Sequence, residues 1–162
     1  MARLLIVPLV AGLVVAAAAC DRAPAGGADG RPGAVTITEA YAAEPVTDES
    51  AVVYLTIRNG TQVTDTLVGA ATPIAAVAGL HRQMTMGAMT HMESAGSVPV
   101  PAGGDLRLEP GGLHLMLERL SRRPQAGDTI DVTLTFRRAG PIRVRVPVIA
   151  YADVSDRAHP PQ

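Results

Sequence analysis

Leu113-His114-Leu115-Met116-Leu117 is the stretch on which the reading of this chain turns. Successive side chains of a strand point to opposite faces. The three leucines therefore share one face, the natural core face, and His114 and Met116 look outward together on the other. Working outward, the same two-residue period returns along the chain. Val35 and Ile37 alternate with Thr36 and Thr38, and Ile130, Val132, Leu134 and Phe136 alternate with Asp131, Thr133, Thr135 and Arg137. Ile142, Val144 and Val146 alternate with Arg143 and Arg145. Val52 to Arg58 is apolar and β-branched and runs into Asn59-Gly60, a turn signal. Further strands are expected over Asp65 to Ala71, Ala76 to Met84, Ala88 to Glu93 and Asp105 to Glu109. Thr72-Pro73, Gly87, Ala102-Gly103-Gly104 and Pro110-Gly111-Gly112 separate them. No stretch carries a helical period with caps. Short strands between Gly and Pro turns predict an all-β fold, an antiparallel sandwich or barrel of about eight strands.

The window around the His114 strand is chemically unusual. The chain has six methionines, and the five other than the initiator all lie between positions 84 and 116. Three of its four histidines, His81, His91 and His114, lie in the same window. Ala78 and Leu80 fall on one face of their strand and His81 on the other; a strand through Met92 turns His91 the opposite way. A lone Met is usually gap-filler in a core, and a lone His is usually structural. A His-x-Met pair set against a leucine face, with a second His and a Met cluster nearby, exceeds those readings. Imidazole and thioether together suit copper, and thioethers favour Cu(I) over zinc, magnesium or calcium.

At 162 residues the chain is one domain by length. Met1 to Ala19 holds one charge, Arg3, then an apolar run from Leu4 to Val15 and small residues up to Cys20, the only cysteine. This is the form of a secretory signal peptide rather than a membrane span, and it resembles a lipobox, with Ala17 where Leu is more usual. Cys20 is the expected lipidation site, anchoring a chain that does not span the bilayer. Asp21 after it implies, by resemblance to Gram-negative lipoproteins, retention at the periplasmic face of the inner membrane. The expected layout is a leader over 1–19, a lipidated Cys and flexible tether over 20–33, a β-sandwich domain over 34–151 and a polar, frayed tail over 152–162. Without Arg3 the balance is 13 Arg against 15 acidic residues, with no Lys and only four aromatics. Neither charge nor aromatic content supports nucleic-acid binding, and a single cysteine allows no internal disulfide.

The residues exclude several chemistries. A blue-copper centre needs a thiolate, and Cys20 is distant from the window. Zinc would want more His, Cys or carboxylate ligands than cluster here. There is no His-Glu-x-x-His, Gly-x-Ser-x-Gly or Gly-rich phosphate loop, so the chain is not read as an enzyme. A neutral Met/His site tolerates an oxidising compartment better than a thiolate does, and suits a protein that hands a metal on.

At these residues the sequence resembles the periplasmic copper(I) chaperones called PCuAC, whose signature is His, ten residues, Met, twenty-one residues, His, any residue, Met. His81, Met92, His114 and Met116 match that spacing without a shift. The flanking Tyr54-Leu55-Thr56-Ile57-Arg58-Asn59-Gly60, Pro101-Ala102-Gly103-Gly104 and Gly127-Asp128-Thr129 are similar as well, and the likeness covers roughly Ala34 to Val148. The resemblance implies a cupredoxin-like sandwich, lacking a cupredoxin's Cys, that holds one Cu(I) per chain on His81, Met92, His114 and Met116. It also implies delivery of copper to the dinuclear centre of cytochrome c oxidase, beside a Sco-type protein, by what is expected to be a monomer. Met84, Met86, Met89 and His91 are assigned to a secondary metal site, an entry route or docking. The chain departs from some relatives in its tail, where only His159 could bind metal, and in its Met-rich 82–89 loop. The competing readings are a copper storage or resistance protein with the same site, and a metal-free interaction module using the Met patch as an adaptable surface.

Overall fold

A computed structural model of the chain describes residues 33–87 and 89–158. The leader, Cys20, nearly all of the tether, Ala88, His159 and the side chain of Met86 lie outside the described residues. Ten strands form: β1 (Val35–Ala43), β2 (Ser50–Asn59), β3 (Asp65–Ala71), β4 (Ala75–Met86), β5 (Met89–Ser94), β6 (Val98–Val100), β7 (Asp105–Leu108), β8 (Leu113–Leu120), β9 (Thr129–Phe136) and β10 (Gly140–Ile149). One sheet runs β5-β4-β8-β2-β1, with β7 also on β2; the other runs β10-β9-β3-β6. The two are joined where the end of β10 lies parallel to β1, Ala42 opposite Val148 and Ala43 opposite Ile149. All other pairings are antiparallel. The fold is the expected cupredoxin-like all-β sandwich. Nine of its ten strands overlap the nine stretches expected as strands, and the tenth is the three-residue β6.

Alternation explains where the core sits. Ile37, Val53, Leu55, Ile57, Leu80, Leu115 and Leu117 of one sheet meet Leu67, Val100, Ile130, Val132, Leu134, Phe136 and Val146 of the other in one apolar cluster. Each buried Leu, Ile or Phe contributes about 2 kcal/mol by leaving water, so these inward positions hold the sheets together. Glu39 interrupts β1: its φ of 54° coincides with a register shift between Thr38 and Tyr41, a bulge that re-aims the strand. After β10, a 3-10 turn (Tyr151–Asp153) runs into α1 (Val154–Ala158). The polar tail thus begins with a helix, too short to show a period, whose Arg157 guanidinium sits 5.7 Å from the centroid of the Tyr41 ring.

Asn59 ends β2 fully buried and has a partner on both sides of its amide. Its Nδ2 donates to Val63 O (2.9 Å) and Val100 O (3.1 Å), and its Oδ1 accepts from the Thr61 N–H (3.0 Å) and hydroxyl (2.7 Å). The expected turn is therefore clamped from within. Asn59→Ala strands those groups and is expected to lower stability by about 2–3 kcal/mol in urea unfolding. No loss would mean the loop repacks around the gap.

Candidate metal centre

The expected residues are placed by the register of β5, β4 and β8. His81 lies directly opposite His114, and Gly79 opposite Met116. Across the other edge of β4, Gln83 lies opposite Met92 and His81 opposite Ser94. Directly paired residues share a face, so His81, Met92, His114 and Met116 all stand on the same face of this three-stranded segment. That is the face away from Leu80, Leu113, Leu115 and Leu117, as the alternation predicts. Met84, Met86, Met89 and His91 fall on the other set of pairs, Met84 opposite His91 and Met86 opposite Met89.

The structure corrects one expectation. His114 does not look out into solvent: it is 2% exposed. Its ring lies 6.2 Å from that of His81, nearly parallel at 26°, so two imidazoles are stacked side by side. His114 Nδ1 is 3.1 Å from Gly112 O. A carbonyl can only accept, so Nδ1 carries the proton and Nε2 presents a lone pair. Among the described residues, His114 Nε2 is the one buried side-chain polar atom with no hydrogen-bond partner. Leaving such an atom unpaired costs about 1–3 kcal/mol. A nitrogen tied back through its other ring atom, with its lone pair free, is the arrangement of a metal-ligating His.

Gly79 supplies room that the motif does not reveal. A Cβ there would meet His81 Nε2 at 3.3 Å and Cδ2 at 3.6 Å. The His81 ring therefore lies over Gly79, the residue whose partner is Met116. His81, His114 and half-buried Met116 are thus gathered at two adjacent pairs. Met92 stands one pair farther along in the other direction and is 55% exposed; it is the outermost of the four. Beside Met116 a hollow is bounded by Val77, Leu120 and the acidic Asp48, Glu49 and Glu118, with Arg119. Excess carboxylate there draws cations toward the thioether. Among the described residues no three His, Cys, Asp or Glu side chains gather as a metal site; the imidazoles and thioethers of His81, His114, Met116 and Met92 share one face, a donor type that suits a soft ion.

Gly79→Val tests the geometry. The added side chain displaces the His81 ring; if His81 is a copper ligand as expected, copper affinity falls about 10–100-fold, as for other residues that orient a ligand. Circular dichroism should be unchanged. Unchanged affinity would mean the His81 position over Gly79 is irrelevant to binding. Sequence reasoning missed Gly79 and the orienting Gly112 carbonyl. Gly79 acts through its pairing with Met116, and the Gly112 carbonyl acts through a contact two residues back from His114; side-chain alternation marks neither.

Comparison with known proteins follows the same line. A family model described as LpqE-like lipoprotein matches residues 35–148. A protein of Leifsonia xyli subsp. xyli, described as a lipoprotein, is 36% identical over 101 residues, 62% of this chain and 61% of that protein. The match therefore spans less than two thirds of that relative's length. The copper-bound PCuAC domain of PmoF2 superposes with a TM-score of 0.62 at 21% identity, covering 74% of this chain and 96% of that domain. The Cu(I) form of DR1885 from Deinococcus radiodurans superposes with a TM-score of 0.56 at 29% identity, covering 72% of this chain and 80% of that one.

Proposed function

Since this chain belongs to the family of LpqE-like lipoproteins, and its fold is shared with copper-binding PCuAC domains, we propose that it is a lipid-anchored, extracytoplasmic carrier of Cu(I). The observation that carries the reading is His114: buried, held by Gly112 O through Nδ1, with Nε2 unpaired on the face it shares with His81, Met92 and Met116. One Cu(I) per chain is held by those four residues.

Each side chain has a distinct part. His114 is the anchor, since burial keeps its lone pair from water and fixes its direction. His81, lodged over Gly79, is the second imidazole. Met116 closes the inner side next to the acidic hollow. Met92, on the exposed hairpin, is the ligand that a partner's soft donor displaces first. All four ligands are neutral, so the ion keeps its charge and transfer is ligand exchange, without any redox step. A centre buried at one end and open at the other holds the ion and can still release it.

The proposed recipient is the dinuclear copper centre of cytochrome c oxidase, directly or through a Sco-type protein, with this chain working as a monomer held by acylated Cys20 at the periplasmic face of the inner membrane. A deletion strain tests the role. Loss of oxidase activity at low copper, restored by the parent gene and by added copper but not by His114→Ala, is the expected result. Normal oxidase activity with heightened copper sensitivity would instead make the protein a store or a resistance factor.

A further inference from the structure

The β4–β5 hairpin has a second face, which the four residues above do not use. We propose that this face is a separate site for a soft monovalent ion, Cu(I) or Ag(I), built from Met84, Met89 and His91. Met84 and His91 are direct cross-strand partners, a pairing that sets Cβ atoms about 5 Å apart. Met89 lies two residues before His91 on β5 and so on the same face; Met86 is its register partner. Gly87, with φ of 63°, follows Met86 directly, in the left-handed backbone region that glycine favours.

Elsewhere on β4 this face is core: Leu80 is buried and Ala78 packs against the apolar cluster. Past Leu80 the hairpin outruns the core. Met84 is 43% and Met89 66% exposed, and His91 is exposed as well. Met84 borders an open hollow with Arg82, Glu93 and Pro99 rather than a packed neighbour. These methionines are therefore not gap-filler, since they fill nothing. Two thioethers and an imidazole within reach of one point make a three-coordinate soft site. Being open to water and less constrained than the His114 site, it binds more weakly and exchanges faster. It does not depend on the His81–His114 reading, because the strand separates the two sets of side chains.

Anaerobic competition with the Cu(I)–bicinchoninate complex, on the full chain in detergent, counts the sites. The Met84→Leu/His91→Ala double variant is expected to bind one equivalent fewer than the parent, and His114→Ala to retain that equivalent. Both altered side chains are exposed, so the variant folds. Methyl resonances of Met84 and Met89 in ¹³C-methionine-labelled protein should shift on addition of Ag(I), in the parent and in His114→Ala alike. Equal stoichiometry in the double variant and the parent, or methyl signals that stay put, would overturn the proposal. Loss of copper only in His114→Ala would uphold the main site alone; loss only in the double variant would uphold the second site and sink the first.

Discussion

His114→Leu is expected to make the metal-free protein more stable and, on the proposed function, to abolish Cu(I) binding. The side chain is buried, its Nε2 has no partner, and such an orphan costs about 1–3 kcal/mol. Leucine removes the orphan and adds apolar contact. The substitution leaves no new unpaired group, because Gly112 O still accepts the Gln83 N–H at 3.1 Å. Urea unfolding should show a gain of about 1–2 kcal/mol, and copper affinity should fall by more than about 100-fold, beyond the effect of losing a merely orienting partner. A clear loss of metal-free stability would mean that the His114 imidazole is placed for packing rather than kept for a ligand. Sites held at a cost to stability are where function is expected.

The second large effect concerns the opposite sheet. Asp65 opens β3 and is 3% exposed. Its carboxylate accepts the N–H groups of Thr66 (2.7 Å), Arg138 (2.9 Å) and Ala139 (2.9 Å), tying β3 to the β9–β10 turn. Burial pushes its carboxyl up, but the backbone donors, with the Arg138 charge, outweigh burial and hold it below the ordinary carboxylate range. Asp65→Ala leaves three donors stranded and should cost about 3–4 kcal/mol at neutral pH. A group whose folded pKa is depressed stabilises above its unfolded value, near 4, and loses that contribution as pH falls through the folded value. The stability gap between the parent and Asp65→Asn should therefore be widest at neutral pH and narrow steadily below about pH 4. A gap that is constant from pH 7 to 3 would show that the charge plays no part.

Much of this molecule is legible in its sequence because a sandwich is written in a period of two. β3 runs from Asp65 to Ala71 as the polar and turn residues around it imply, and the leucines of β8 face the core while His114 and Met116 face the other way. What stayed hidden depends on partners distant in the chain. The parallel join of β1 to β10 and the pairing of Gly79 with Met116 are set by register between remote strands. Alternation tells which way His114 points but not what covers that direction, so its burial came only with the fold. The bulge at Glu39 has no glycine to announce it. The same register separates two sets of residues that run together in the text: Met92 turns to His81's face, and Met84, Met89 and His91 to the other.

The central claim is that His81, Met92, His114 and Met116 hold Cu(I), and anaerobic competition titration of the parent against the four single alanine variants tests it most directly. The account predicts tight binding of the first equivalent by the parent, a loss of more than about 100-fold for His114→Ala, and smaller losses for the other three, least for Met92, the most exposed of the four. Tight binding that none of the four substitutions weakens would contradict it.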